Sequence, residues 1–356
     1  NLPFYGEITK ALDRNFTPCS VTGVSNIHKS HLAAALSRRG KVLVICDDEA
    51  ACTRFVQDAN ELWGGELARV FPAKEFNFAY MEGVSREYEH KRIEALSKLE
   101  SGECSIIAAS AEAAMQGTIP PDALREYSFP LKSGAEINLT ELVSKLVSAG
   151  YSKTEQVEGQ AQFAVRGSII DIFPVQEKQP VRLELWGDEI DVLSYFDTES
   201  QRRTDPTDEI TIFPALEIIF SDSEEFVGKL EKLSSSARGK NTEKIRTHIS
   251  RDTQLVKSGI TLTNLDKYYT LAYETTATVF DYFKDGICIV SEYANCADKA
   301  KSALIRLQED LKPLYEEGIL FKRLEGFFID FAQVQSKIQS LPCIFADTFM
   351  RSNNDV

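Results

Sequence analysis

Lys41-Val42-Leu43-Val44-Ile45-Cys46 is a short apolar run set between Gly40 and the acidic pair Asp47-Asp48. It does not alternate polar with apolar residues. An unbroken run of this length fits a strand covered on both faces, as in a parallel sheet. A helical pattern precedes it, beginning at Leu32–Leu36 after Lys29-Ser30, and helical spacing returns over Asp48–Leu62, with Asp48 placed to cap that helix. Ser85–Leu99 reads as a charged amphipathic helix closed by Ser101-Gly102, and Ser105–Ala109 (SIIAA) as a second buried strand. Strands and helices alternating at this rhythm predict an open α/β sheet over residues 1–121.

The rhythm breaks at Ile119-Pro120-Pro121, a boundary signal. Asn138–Gly150 carries helix punctuation at both ends: Asn138 to cap, Glu141 three residues on, and Gly150 for a left-handed exit. Three β-rich stretches follow, Gln162–Phe173, Val181–Trp186 and Glu189–Phe196, the last two joined by the turn pair Gly187-Asp188. This predicts an antiparallel meander in a small α+β insert over 122–213. From Pro214 the chain turns helical and charged through Ser223–Leu233 and Ser250–Ser258, with 234–240 read as a mobile loop. A buried strand is expected at Ile287–Val290 and a helix over Asp298–Leu311, so 214–356 forms a third segment.

Two motifs bear on nucleotide chemistry. Gly23-Val24-Ser25-Asn26-Ile27-His28-Lys29-Ser30 has the spacing of a phosphate loop between a short strand and a helix. In such loops backbone N–H groups wrap the phosphates, while Lys and Ser/Thr meet phosphate and magnesium. Here His28 replaces the second glycine, putting a side chain where backbone must approach the ligand. The second motif is the strand Ile287–Val290 ending in Ser291-Glu292, where Ser291 stands in place of a metal-directing aspartate. A hydroxyl is a poor ligand for a hard cation that wants charged oxygen. The two losses compound, and the residues favour a loop that keeps its turn without its ligand. An active phosphate-loop ATPase is the rival reading. Asp47-Asp48-Glu49 reads as a helix cap rather than a metal site.

Composition narrows the classes further. With 356 residues, the chain is long enough for two or three domains. Seven cysteines without a CxxC pair, and only four histidines, predict buried free thiols of a cytoplasmic protein rather than a disulfide framework or zinc site. A net charge of −14 without a dense Lys/Arg run disfavours DNA binding by the chain as a whole. No apolar stretch is long enough to cross a membrane. Asn1–Tyr5 lacks the basic region and apolar run of a signal peptide, and no initiating Met is present, so a processed piece is one expectation.

The third motif is the β-rich stretch itself. It places Arg166, Arg182 and Trp186 in neighbouring strands, with Arg182 and Trp186 four apart and therefore on one face. Arginine and tryptophan dominate protein–protein hot spots, although composition alone favours the blander reading of a solvated arginine pair and a core tryptophan.

These segments, AVRGSIIDIFP (164–174), VRLELWGDEID (181–191) and FDTESQR (196–202), resemble the bacterial transcription-repair coupling factors (Mfd). Val70-Phe71-Pro72-Ala73, the Arg86–Leu99 helix and Phe280-Asp281-Tyr282-Phe283 agree, and the resemblance extends over essentially the whole chain. It implies a RecA/UvrB-like parallel-sheet module with a degenerate phosphate loop, subdomains 1a (1–121) and 1b (214–356), interrupted by subdomain 2 (122–213). It also implies an adaptor that recruits the repair protein UvrA through subdomain 2, with contacts falling on Arg166, Arg182 and Trp186, the last often Phe in the family. The module would neither hydrolyse ATP nor need magnesium. The motor, with its RNA polymerase and DNA partners, would lie beyond this chain, which would be about the first third of such a protein.

Overall fold

Each of the five residues of the strand Val42–Cys46 is buried, and the same holds for Ile106–Ser110. Both lie inside a six-stranded sheet whose order is Cys19–Thr22, Cys343–Asp347, Ile287–Ser291, Val42–Cys46, Ile106–Ser110, Ala68–Phe71. Every pairing in it is parallel. The computed structural model describes residues 4–81, 83–220 and 222–349, so Asn1-Leu2-Pro3 of the amino-terminal reading lie outside them. Leu32, Leu36, Val42, Val44, Phe55, Ile106, Ile289 and Ile344 share one hydrophobic core. Asp48 caps the helix Glu49–Trp63 by accepting the Ala51 N–H at 2.8 Å, as its position predicts. All seven cysteines are free, six of them buried. Among the described residues no cluster of His, Cys, Asp or Glu is placed to hold a metal, and no helix is long and apolar enough to cross a membrane.

The chain separates into two units, one of Asn1–Val84, Lys98–Thr118 and Val227–Val356, the other of Ser85–Ser97 and Ile119–Phe226. The sequence boundaries at 121 and 213 differ from this division. Residues 214–226 and part of the Glu87–Glu100 helix join the second unit because burial ties them there. Arg92 and Glu217, both fully buried, pair at 2.8 Å, and the Glu217 N–H bonds Glu89 Oε1 at 2.9 Å. Ala215 N–H donates to Ala149 O at 2.7 Å. Gly150, at φ +91°, turns the chain out of the preceding helix against Leu216, where a Cβ would meet Leu216 Cγ at 2.5 Å.

The second unit holds a six-stranded sheet in the order Arg203–Pro206, Glu189–Phe196, Val181–Trp186, Ile169–Phe173, Gln162–Arg166, Ser152–Lys153. It is antiparallel except for the last pairing. The single stretch expected over Gln162–Phe173 is a hairpin, turned at Gly167-Ser168 with Gly167 at φ +63°. Gly187, at φ +64°, turns the next hairpin where the sequence placed it. Asn138 caps the helix Leu139–Ser148 through the Glu141 N–H at 3.1 Å. Phe129–Lys132 pairs with Glu209–Ile212 and so joins the two ends of the β-rich region.

Four helical spans are longer than their patterns suggest. Asn26–Leu36 begins before Lys29 rather than at Leu32. Ser223–Ser236 and Thr242–Lys257 leave only residues 237–241 between them, so 234–236 of the expected 234–240 loop are helical, because Leu233 and Ala237 are buried despite the serines. Tyr293–Glu317 exceeds Asp298–Leu311 at both ends.

His90, on the Glu87–Glu100 helix, has Nε2 shielded from solvent without a hydrogen-bond partner. Burial lowers its pKa, with Arg86 adding to the effect and Glu89 opposing it. The unfolded imidazole therefore binds a proton first as pH falls. Stability from this group is complete above about 6.5, the ordinary histidine value, and is lost as pH drops toward the lowered folded value. Urea midpoints should fall between pH 7.5 and 5.5, and His90→Gln should flatten that part of the profile; an unchanged profile would show that His90 does not contribute.

Candidate functional site

The phosphate-loop residues converge, but on one another. Gly23, at φ +78°, closes the Cys19–Thr22 strand, and only Val24 and Ser25 separate it from the helix. Val24 N–H donates to Asp347 O, while His28 and Lys29 N–H both donate to Ser25 O at 3.0 and 3.1 Å. These three amides are thus engaged within the protein. The exposed His28 ring meets Ser25 Oγ through Nδ1 at 3.0 Å. Lys29 is 1% exposed; its Nζ bonds Glu292 Oε1 at 2.5 Å and Ser291 Oγ at 3.1 Å. Ser30 Oγ donates to backbone carbonyls of Asn26 and Phe55.

Glu292 sits at φ +55°, ψ +61°, a left-handed conformation uncommon for a residue with a side chain. Its carboxylate also accepts Thr348 N–H at 2.8 Å and Thr348 Oγ1 at 2.5 Å. Burial opposes its ionisation, yet the bonds from Lys29 and Thr348 outweigh that and hold the carboxyl below its usual value. A cleft of about 370 Å³ opens beside Lys29, Asp47, Arg54, Ser291 and Glu292, at the carboxyl ends of the parallel strands. Within it the lysine head is already neutralised by an internal carboxylate.

The second candidate is a face of the antiparallel sheet. Arg166 pairs across to Ile169, Ile169 to Glu184, and Asp171 to Arg182. Alternation along each strand therefore places Arg166, Asp171, Arg182, Glu184 and Trp186 on one face. Arg166 and Trp186 each end a strand immediately before a two-residue turn, and the two strands run the same way, so both lie at one end of the sheet. Two strand spacings, about 10 Å, separate them laterally.

Asp171, 1% exposed, ties the face together. Arg182 forks onto it, Nε to Oδ1 at 2.6 Å and Nη2 to Oδ2 at 2.9 Å, while Arg166 Nη2 bonds Oδ2 from the other side. Arg182 also donates to Gln201 O at 3.1 Å and Gln201 Oε1 at 3.2 Å, and lies 4.4 Å over the Phe196 ring. The three expected contact residues differ in what they present. The Trp186 residue is 81% exposed and the Arg166 side chain 43%, but the Arg182 side chain only 11%. Trp186 is accordingly not the core tryptophan that composition allows. Sequence reasoning did not single out Asp171, Phe196 or Gln201. The available signal was their presence in the same three family-like segments that supply the arginines and tryptophan.

Residues 129–217 match the family model of the UvrB interaction domain, a span that runs from Phe129 in the closing strand pair to Glu217 in the buried ion pair. The chain is similar to the transcription-repair-coupling factor of Bacillus subtilis (strain 168), with 25% identity over 342 residues, 93% of this chain and 29% of that protein. Its similarity to the factor of Staphylococcus aureus (strain MRSA252) is 25% over 340 residues, and to that of Staphylococcus haemolyticus 23% over 338, in each case 92% of this chain and 29% of the relative. The chain thus spans under a third of the length of the curated relatives it matches.

Proposed function

We propose, taking this chain as an amino-terminal region of the transcription-repair coupling factor kind, that it is an adaptor docking UvrA through the Arg166–Trp186 face. The observation that carries this reading is an indole left 81% exposed at the same end and face as a half-exposed guanidinium, inside the span matching the UvrB interaction domain. An exposed aromatic on the same face and end as an arginine with donors to spare is the composition of an interface anchor. Arg166 supplies charge-assisted bonds to an acidic group, and Trp186 fills an apolar pocket. In the complete protein this recruits excision repair to stalled RNA polymerase in the cytoplasm, while the segments beyond this chain supply ATP-driven movement on DNA. Calorimetry tests it directly: UvrA titrated into the chain should give saturable heat, and its absence would overturn the reading.

The proposal assigns no nucleotide or magnesium to this chain. Lys29 turned to Glu292, and Ser30 bonded to carbonyls, support that part. A bound ligand at 100 times its dissociation constant adds about 2.7 kcal/mol of stability. Millimolar Mg-ATP should leave the melting temperature unchanged; a saturable rise would restore the ATPase reading.

A further inference from the structure

We infer that Asp171 is the positioning residue of the docking face, and that Arg182 acts as an internal strut rather than as a contact with the partner. This rests on the docking reading above. Arg182 spends Nε, one Nη1 proton and both Nη2 protons on Asp171 and Gln201, leaving one of its five N–H groups and little exposed surface. Its guanidinium lies over the Phe196 ring, 4.4 Å from the centroid. Such a side chain holds other groups in place and offers little to a partner.

Arg166 is the opposite case. It is held at one nitrogen by Asp171 Oδ2, and the side chain stays 43% exposed. Asp171 thus aims one arginine outward by bracing it against another. The buried carboxylate carries one negative charge against two guanidiniums, which leaves a net charge of +1 for the trio. Glu184, on the same face, is already paired with Arg203. The partner chemistry that completes the arrangement is one carboxylate, taken by Arg166, next to an apolar hollow for Trp186.

Gln201 closes the brace. It stands at φ +58° in the loop after Phe196, where its own N–H bonds Asp197 O at 2.9 Å and its side-chain amide donates to Thr198 O at 2.8 Å. The 196–202 segment therefore serves Arg182 and does not contact the partner through Gln201.

The test is calorimetry of UvrA binding with Asp171→Asn, Arg166→Ala and their combination. Asp171→Asn keeps the shape and one acceptor oxygen but loses the charge, and should weaken binding by about tenfold or more, as expected for a coupled interface network. Because Asp171 acts through Arg166, the double variant should bind no worse than Arg166→Ala alone. Wild-type affinity in Asp171→Asn, or losses that add in full, would overturn the inference, whereas failure of the wild-type chain to bind would overturn the docking reading instead. Near-UV circular dichroism reports whether Asp171→Asn is folded. If it is not, Gln201→Asn decides: its shorter amide tolerates the left-handed backbone but does not reach Arg182. Weakened binding that vanishes in the Arg166→Ala background supports the brace, and unchanged binding overturns it.

Discussion

Arg166→Ala should weaken UvrA binding by about 30- to 1000-fold, the loss of about 2–4 kcal/mol that a buried hot-spot arginine carries. Arg166 can supply that much because it is ordered before the partner arrives. Asp171 fixes its guanidinium, so little side-chain entropy is lost on docking. Trp186, at the same end of the face, offers the exposed apolar surface that a partner would cover together with this contact. Arg166→Lys should not restore full affinity, since an ammonium cannot bond Asp171 and a partner carboxylate in the same fixed plane. Because the bond is charge-assisted, wild-type affinity should also fall with added salt. Unchanged calorimetric affinity in Arg166→Ala would remove this residue from the interface.

The second large effect is on folding. Arg92→Leu should destabilise the unit containing it by about 3–5 kcal/mol, because it strands a fully buried carboxylate without its cation. The pair is costly to break although it need not be strongly stabilising, since desolvation offsets most of its attraction. The double variant Arg92→Leu/Glu217→Leu should therefore recover much of the loss. Urea unfolding followed by circular dichroism distinguishes these outcomes. If Arg92→Leu unfolds with the wild-type midpoint, the pair does not join the 85–97 helix segment to residues 214–226.

Periodicity and punctuation were enough to read the strands Val42–Cys46, Ile106–Ser110 and Ile287–Ser291 of the parallel sheet, but not Ala68–Phe71 or Cys343–Asp347. Val42–Cys46 and Ile106–Ser110 are apolar throughout because both faces are covered, and that property is local to each strand. The cap at Asp48 and the turns at Gly167 and Gly187 are equally local, although Gly167 was recognised as a turn only once the hairpin was seen. Helix ends were less legible. Asn26–Ser30 read as a phosphate loop, but backbone bonds from His28 and Lys29 to Ser25 draw the segment into the helix. Likewise Ser234–Ser236 resemble a linker, yet the buried Leu233 and Ala237 on either side keep that turn in the helix.

The amino-acid sequence by itself determined the strand–helix rhythm, the presence of His28 and Ser291 at the motif positions and the placing of Arg182 and Trp186 on one face, all of which depend on residues close together in the chain. Only the tertiary structure decided that Lys29 is neutralised by Glu292, 263 positions away, and that Asp171 braces both arginines. Nor does spacing tell which arginine stays open: Arg166 and Arg182 are the same residue type in similar strands. Their difference comes from neighbours brought in by folding, four hydrogen bonds and an aromatic ring around one and a single carboxylate oxygen beside the other. A charge is spent or available according to what surrounds it in space, and that information is not local in sequence.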